Sequence, residues 1–187
     1  MSGPAVHLYR FEGDWRASGH TLLVLLSRYV PSEPDEIRLR RTDKGKPYVE
    51  DSDIFFNLSH TVNLTVVAIA QGVEVGVDVE AMEARVDPLA IASRFFHPAE
   101  RAALAALESA AQLDLFFRIW VRKEAFVKGV GGGLSMGLDK FRVYPDCAGI
   151  EPWSIADIEV GSGYAAALAV KEPRFEIQWR QFGCGRI

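Results

Sequence analysis

The sequence predicts an α+β protein, and three observations carry that expectation. Val73 to Glu80 (VEVGVDVE) alternates with the two-residue period of a strand, and Asn63 to Ala70 (NLTVVAIA) has the β-branched content of another. Between Pro88 and Val130 the pattern changes to alanine-rich stretches opened by Pro88 and Pro98, the residue favoured in a first helical turn. After Gly131-Gly132-Gly133, where helix propensity collapses, strand-like segments return.

In chain order, Val6 to Phe11 reads as a short strand and Gly19 to Val30 as a buried helix ended by Pro31. Pro31 to Pro34 is a loop, and RLRRTDKGK from Arg38 to Lys46 holds five bases and one acid. Asn63 to Ala70, the Gln71-Gly72 turn and Val73 to Glu80 are expected to pair as an antiparallel hairpin. Helices are expected over Pro88 to Phe96, Pro98 to Ala111 and Asp114 to Val130. The segments FRVYPD, WSIADIEV, YAAALAV and FEIQWR are expected to form a second antiparallel sheet. The order is thus α+β followed by α+β, with two similar halves, 1–83 and 84–187, in one unit.

The 187 residues are 49% hydrophobic and 25% charged, which excludes wholesale disorder. A net charge of -4 gives no global attraction to nucleic acid or anionic membrane, so a polyanion site must come from a local cluster of bases. Cys147 and Cys184 form no CxxC motif, which leaves thiolate metal sites and redox chemistry without support. No leader pattern and no apolar run of membrane-spanning length is present, so a cytoplasmic protein is expected.

Four constellations carry candidate chemistry. Asp78 and Glu80 stand two apart on one face of a strand, their Cα atoms roughly 6.5 Å apart, a spacing that suits one cation. Hard carboxylate oxygens favour magnesium over zinc; the alternative is a pair of solvated carboxylates at a strand end. Gly76 on that face leaves room for a ligand to approach the backbone. Trp120, Glu124 and Lys128 share a helix face at four-residue intervals, either as a surface ion pair or as base and charge stabiliser beside a phosphate. Asn57, Ser59 and His60 offer donors for phosphate oxygens, or a cap and a packed ring. Arg38, Arg40, Arg41, Lys44 and Lys46, before Pro47, are a solvated basic face or a polyphosphate site. Ser59-His60 is no hydrolase pair, because no G-x-S-x-G elbow is present.

The order of RTDKGKP, FNLSH, GVDVE, RFFHPAE and WVRKEAFVKGVGGGL, between about Thr21 and Trp179, resembles the surfactin-type 4'-phosphopantetheinyl transferases. The resemblance implies that family's fold, two similar α+β halves in a pseudo-twofold arrangement with the active site at their seam. It implies transfer of phosphopantetheine from coenzyme A to a serine of an apo acyl or peptidyl carrier protein, releasing 3',5'-ADP, in fatty-acid, polyketide or nonribosomal-peptide synthesis. Asp78, Glu80 and Glu124 would hold Mg2+. Glu124 would also act as base and Lys128 on the leaving group. Arg41, Lys44, Lys46, Pro47, Asn57, Ser59, His60 and Lys128 would bind coenzyme A, while Trp120 packs beneath the helix. The carrier is expected near Ala81 to Phe96, with Arg85 and Arg94; a monomer suffices, and neither nucleic acid nor membrane is an expected partner.

The chain departs from that pattern in one place. The segment between the first strand and Thr21 is short, leaving Arg10, Arg16 and His20 as the bases for the 3'-phosphate. The rival readings are a non-catalytic module that binds coenzyme A or carrier proteins, and a magnesium phosphohydrolase acting on nucleotide pyrophosphates.

Overall fold

A computed structural model describes residues 3–13, 19–83, 85–133 and 136–183. Its first sheet has the order β4-β5-β1-β9, built from β1 (Ala5–Glu12), β4 (Ile54–Thr61), β5 (Leu64–Gln71) and β9 (Glu176–Trp179). A small ribbon pairs β2 (Leu39–Arg41) with β3 (Pro47–Val49). The second sheet, β6-β8-β7, comprises β6 (Val75–Ala81), β7 (Ser154–Asp157) and β8 (Tyr164–Val170). Four helices accompany them: α1 (Gly19–Leu26), α2 (Pro88–Phe95), α3 (Pro98–Ala105) and α4 (Ser109–Val130).

Side-chain alternation stacks these elements in four layers. Leu64, Val66, Ala68 and Ala70 of β5 meet Val75, Val77 and Val79 of β6 and Leu168 of β8, so the two sheets share one apolar core. Val67 and Ile69, on the opposite face of β5, pack with Leu22, Leu25 and Leu26 of α1. Ala167 and Ala169 of β8 pack with Ala125 and Phe126 of α4. The layers are therefore α1, first sheet, second sheet, α4. Both sheets repeat one scheme: a strand, a helical segment and two antiparallel strands, with the last strand central (β4-β5-β1 and β7-β8-β6).

Several expectations are corrected. β5 and β6 do not form a hairpin: β5 pairs with β4 and β1 on its two edges, and β6 pairs with β8. A strand bracketed on both edges has no free backbone donors for a third neighbour. The hairpin is β4–β5, and Asn63 in its turn takes a positive φ of 58°, a conformation that asparagine tolerates. β9 joins the first sheet, parallel to β1, rather than the second. FRVYPD forms no strand; its backbone is tied elsewhere, Val143 N–H donating to Glu100 Oε1 at 2.7 Å and Phe141 O accepting from Lys123 Nζ at 2.8 Å. WSIADIEV yields only the four residues of β7.

The helix bounds shift as well. α1 stops at Leu26, short of Val30, and α3 at Ala105, short of Ala111, whereas α4 begins at Ser109 instead of Asp114. Gln112 of α4 donates to Leu104 O and Leu107 O, satisfying carbonyls that a continuous helix would have used internally. Gly131 closes α4 in the left-handed conformation, φ 69°. Among the described residues no helix is long and apolar enough to cross a membrane.

Gly76 of β6 and Gly129 of α4 let the second sheet and the helix approach closely. A Cβ at Gly76 would strike Ala125 O and the backbone of Gly129, so the space expected for a ligand is occupied by the helix. Gly76→Ala should therefore cost about 2 kcal/mol and lower Tm by roughly 4–8 °C in thermal unfolding. An unchanged Tm would show that α4 yields without penalty.

Candidate active site

β6 is the edge strand of the second sheet, and β4 lies along its open edge. Asn57, Ser59 and Thr61, alternate residues on one face of β4, reach across. Asn57 Oδ1 accepts Val77 N–H at 2.9 Å, and Thr61 Oγ1 accepts Ala81 N–H at 3.1 Å. Between them Ser59 Oγ donates to Asp78 Oδ1 at 2.8 Å. Side chains thus cap an edge that would otherwise expose backbone donors, and they fix where Asp78 stands.

Asp78, Glu80 and α4 face one another because the even residues of β6 turn away from the inter-sheet core. Lys128 Nζ donates to Asp78 Oδ1 at 2.6 Å and to Ser59 Oγ at 2.9 Å. In place of the surface ion pair with Glu124, the bland alternative, Lys128 pairs with Asp78 of β6 and reaches the first sheet through Ser59 of β4. Asp78 is 2% exposed, and its Oδ2 has no hydrogen-bond partner among the described residues. Glu124 is pushed up from the usual carboxylate range, first by burial and then by the charge of Asp78. Glu80 is pushed up by burial and Asp78, with a bond from the Trp120 indole opposing the shift. Both carboxyls therefore cost stability as pH rises from their unfolded value through their raised folded value.

These groups line a cleft of about 730 Å³. Leu58, Ser59, Asp78, Glu80, Trp120, Glu124 and Lys128 line it, together with Arg94, Phe95, Gly137, Leu138 and Asp139. A smaller hollow of about 260 Å³ adjoins it, with Lys44, Gly45, Lys46, Pro47, Asn57 and Gly131 in its walls. Leu58, Glu124, Val127 and Lys128 border both, so the two make one trough running from the basic ribbon past the carboxylates to Phe95.

Of the residues singled out in sequence, Lys44, Lys46, Pro47, Asn57, Ser59, His60, Asp78, Glu80, Glu124 and Lys128 line this trough. Lys46 also bonds the Gly129 carbonyl near the end of α4, and burial lowers its pKa, so it latches the ribbon to the helix. Arg41 is exposed and donates to Gly45 O at 2.8 Å, bracing the ribbon's turn instead of lining the trough. Trp120 lies in the cleft wall rather than wholly beneath the helix. Arg10 pairs with Glu12 at 3.1 Å and borders a separate depression with Gly161 and Trp179, while His20 stands 3.9 Å from Asp35. Arg16 and Cys184 lie outside the described residues. Thr61 had no signal beyond its alternate spacing with Asn57 and Ser59. The buried pair Glu100 and Lys123 lies inside two of the motifs, yet nothing in their spacing shows that they meet.

Among the described residues, no three His, Cys, Asp or Glu side chains already converge as a finished metal site. Three carboxylates do share the cleft, and one of them keeps a buried oxygen with no partner among the described residues. Hard oxygen donors of this kind, with charge unmet, fit a magnesium-sized divalent cation.

A trough that joins a basic ribbon to three carboxylates on β6 and α4 suits a phosphorylated ligand. Comparison with known proteins makes this specific. The profile of the 4'-phosphopantetheinyl transferase superfamily matches residues 74–168, and that of the 4'-phosphopantetheinyl transferase N-terminal region matches residues 4–72. The 4'-phosphopantetheinyl transferase Sfp of Bacillus subtilis is 32% identical over 163 residues, covering 81% of this chain and 70% of Sfp. The 4'-phosphopantetheinyl transferase HetI of Nostoc sp. is 30% identical over 165 residues, covering 81% of this chain and 69% of HetI. AcpT of Salmonella typhi, another 4'-phosphopantetheinyl transferase, is 35% identical over 122 residues, covering 65% of this chain and 62% of AcpT. A relative from Synechocystis sp., 31% identical over 147 residues and 72% of this chain, is matched over 60% of its own length. The chain thus spans about six to seven tenths of the length of these relatives. It belongs to the 4'-phosphopantetheinyl transferase superfamily, a class of enzymes that move phosphopantetheine from coenzyme A to carrier proteins.

Asn57→Ala should cost about 1–3 kcal/mol, because it strands the Val77 N–H at a buried strand edge. Urea unfolding with an unchanged m-value and a lower midpoint is the expected result. An unshifted midpoint would mean that the Asn57 amide serves only a ligand.

Proposed function

We propose that this chain transfers phosphopantetheine from coenzyme A to a serine of an apo acyl or peptidyl carrier protein, with Mg2+ held by Asp78, Glu80 and Glu124. The observation that supports it most is the buried Asp78 carboxylate, with one oxygen free of partners among the described residues, in a cleft shared with two half-buried glutamates. Coenzyme A would lie along the trough. Its nucleotide would meet Lys44, Lys46 and Pro47, its pyrophosphate would reach Ser59, His60 and Lys128, and Asn57 would stand between them. Arg41, braced on Gly45 O at the ribbon's turn, would approach the nucleotide from outside.

Magnesium, when bound, would neutralise the pyrophosphate and polarise the phosphorus under attack. The carrier serine oxygen bonds to the phosphorus nearer the pantetheine, and the bond from that phosphorus to the bridging oxygen breaks. The serine proton passes to Glu124, directly or through water. Lys128 stabilises the negative charge gathering on the departing 3',5'-ADP. The carrier would dock over Ala81 to Phe96, where Leu89 and Phe95 are exposed beside Arg85 and Arg94. An acidic carrier surface suits those two bases.

The site draws on both halves divided in sequence, 1–83 and 84–187. β6 of the first half pairs into the second sheet, and β9 of the second half pairs into the first. One chain then completes a pseudo-twofold site, and a cytoplasmic monomer is sufficient.

Intact mass spectrometry of apo carrier proteins incubated with this chain, coenzyme A and Mg2+ tests the activity. A mass gain of one phosphopantetheine group that vanishes on chelation is expected; no gain on any carrier, with coenzyme A still bound, would favour a non-catalytic module. Lys128→Ala should lower kcat by at least about 10²-fold if it acts on the leaving group. A rise confined to KM would make it a binding residue instead.

A further inference from the structure

Among the described residues, the most deeply buried charges lie outside the reaction described above. Lys123 and Glu100 are both 0% exposed, and Lys123 Nζ meets Glu100 Oε2 at 2.8 Å. A buried ion pair contributes little net stability by itself, since desolvation offsets attraction. What these two residues do is better read from their remaining bonds.

Lys123 Nζ also donates to Leu138 O at 2.7 Å and to Phe141 O at 2.8 Å, so its three N–H groups have three acceptors. The Phe141 ring face lies 4.4 Å from the ammonium. Glu100 accepts His97 N–H at 3.0 Å, closing the first turn of α3, and Val143 N–H at 2.7 Å. The pair therefore fastens residues 138–143 to α3 and α4. Among the described residues the segment belongs to no strand: Phe141 and Val143 pack into the core beside α4, Arg122 Nη1 donates to Val143 O at 2.9 Å, and Arg142 forms an isolated bridge with Ala148, while the backbone at Leu138 and Phe141 is tied to α4 through Lys123. Gly137, Leu138 and Asp139, at its start, line the same cleft as the carboxylates.

We propose that Glu100 and Lys123 are positioning residues that set this part of the cleft wall, and through it the placement of the phosphate-bearing arm of coenzyme A beside Glu124. This rests on the transferase reading above. The neighbouring positions divide the labour on α4: Lys123 points into the interior and anchors the wall, while Glu124 faces the cleft that the wall encloses. A shift of the wall by an ångström would leave the carboxylates intact but loosen the hold on substrate.

The test compares wild type with Glu100→Gln/Lys123→Met, which removes both charges together and leaves no uncompensated ion in the interior. Hydrogen exchange should quicken by about tenfold or more across residues 138–143. KM for coenzyme A, and its Kd by calorimetry, should rise by about tenfold while kcat stays within about threefold. If the double variant does not fold, Glu100→Asp, which keeps both charges and shortens the anchor, should raise KM severalfold. A purely structural pair would lower Tm and leave exchange, KM and Kd of the folded protein at wild-type values, which would overturn the proposal. If wild type binds coenzyme A but modifies no carrier, the transferase reading fails while Kd and exchange still judge the pair.

Discussion

The site depends on how closely α4 can lie on β6. Gly76 on the strand and Gly129 on the helix leave no side chain between them: a Cβ on the first would strike the helix backbone, and one on the second would strike the Trp153 ring. With the backbones in contact there, the even residues of β6 run directly under the functional face of α4. Asp78 and Glu80 then meet Glu124, Lys128 and Trp120 across the seam. Moving α4 outward by the width of a methyl group would separate Lys128 from Asp78 and open the cleft. The same constraint explains why the site can combine residues far apart in sequence without a long loop to carry them.

Around that contact the charges are arranged at some cost. Three carboxylates share the cleft, one of them almost wholly buried, with a single ammonium bonded to it. Burial and mutual repulsion push Glu80 and Glu124 upward, so the cluster holds its negative charge reluctantly. A divalent cation would relieve that repulsion, and the substrate's phosphates would complete its coordination. The capping bonds from Asn57, Ser59 and Thr61 hold β6 in register while the cluster is under this load.

Much of this was legible in the sequence, and the failures have a common cause. Alternation in VEVGVDVE placed the valines in a core and Asp78 and Glu80 on the other face, as the structure shows. Four-residue spacing put Trp120, Glu124 and Lys128 together in the cleft. What local pattern could not reveal was which edges meet. The β5–β6 pairing suggested by the Gln71-Gly72 turn gives way because β5 is already flanked by β4 and β1. β9 crosses to the first sheet by a parallel pairing that no turn signal announces. Among site residues, Asn57 carries a backbone-capping bond as well as lining the trough, and Gly76 serves helix packing where ligand access was expected. Both roles come from tertiary contacts that leave no mark on spacing.

The most direct test of the seam as a cation site is to titrate Mn2+ into the chain with coenzyme A present, following free Mn2+ by electron paramagnetic resonance, for wild type and Asp78→Asn. One bound Mn2+ per wild-type chain, displaced by excess Mg2+ and lost in Asp78→Asn, is the predicted result. Equal Mn2+ binding by the two proteins, with both folded, would contradict the assignment of Asp78, Glu80 and Glu124 as the ligands.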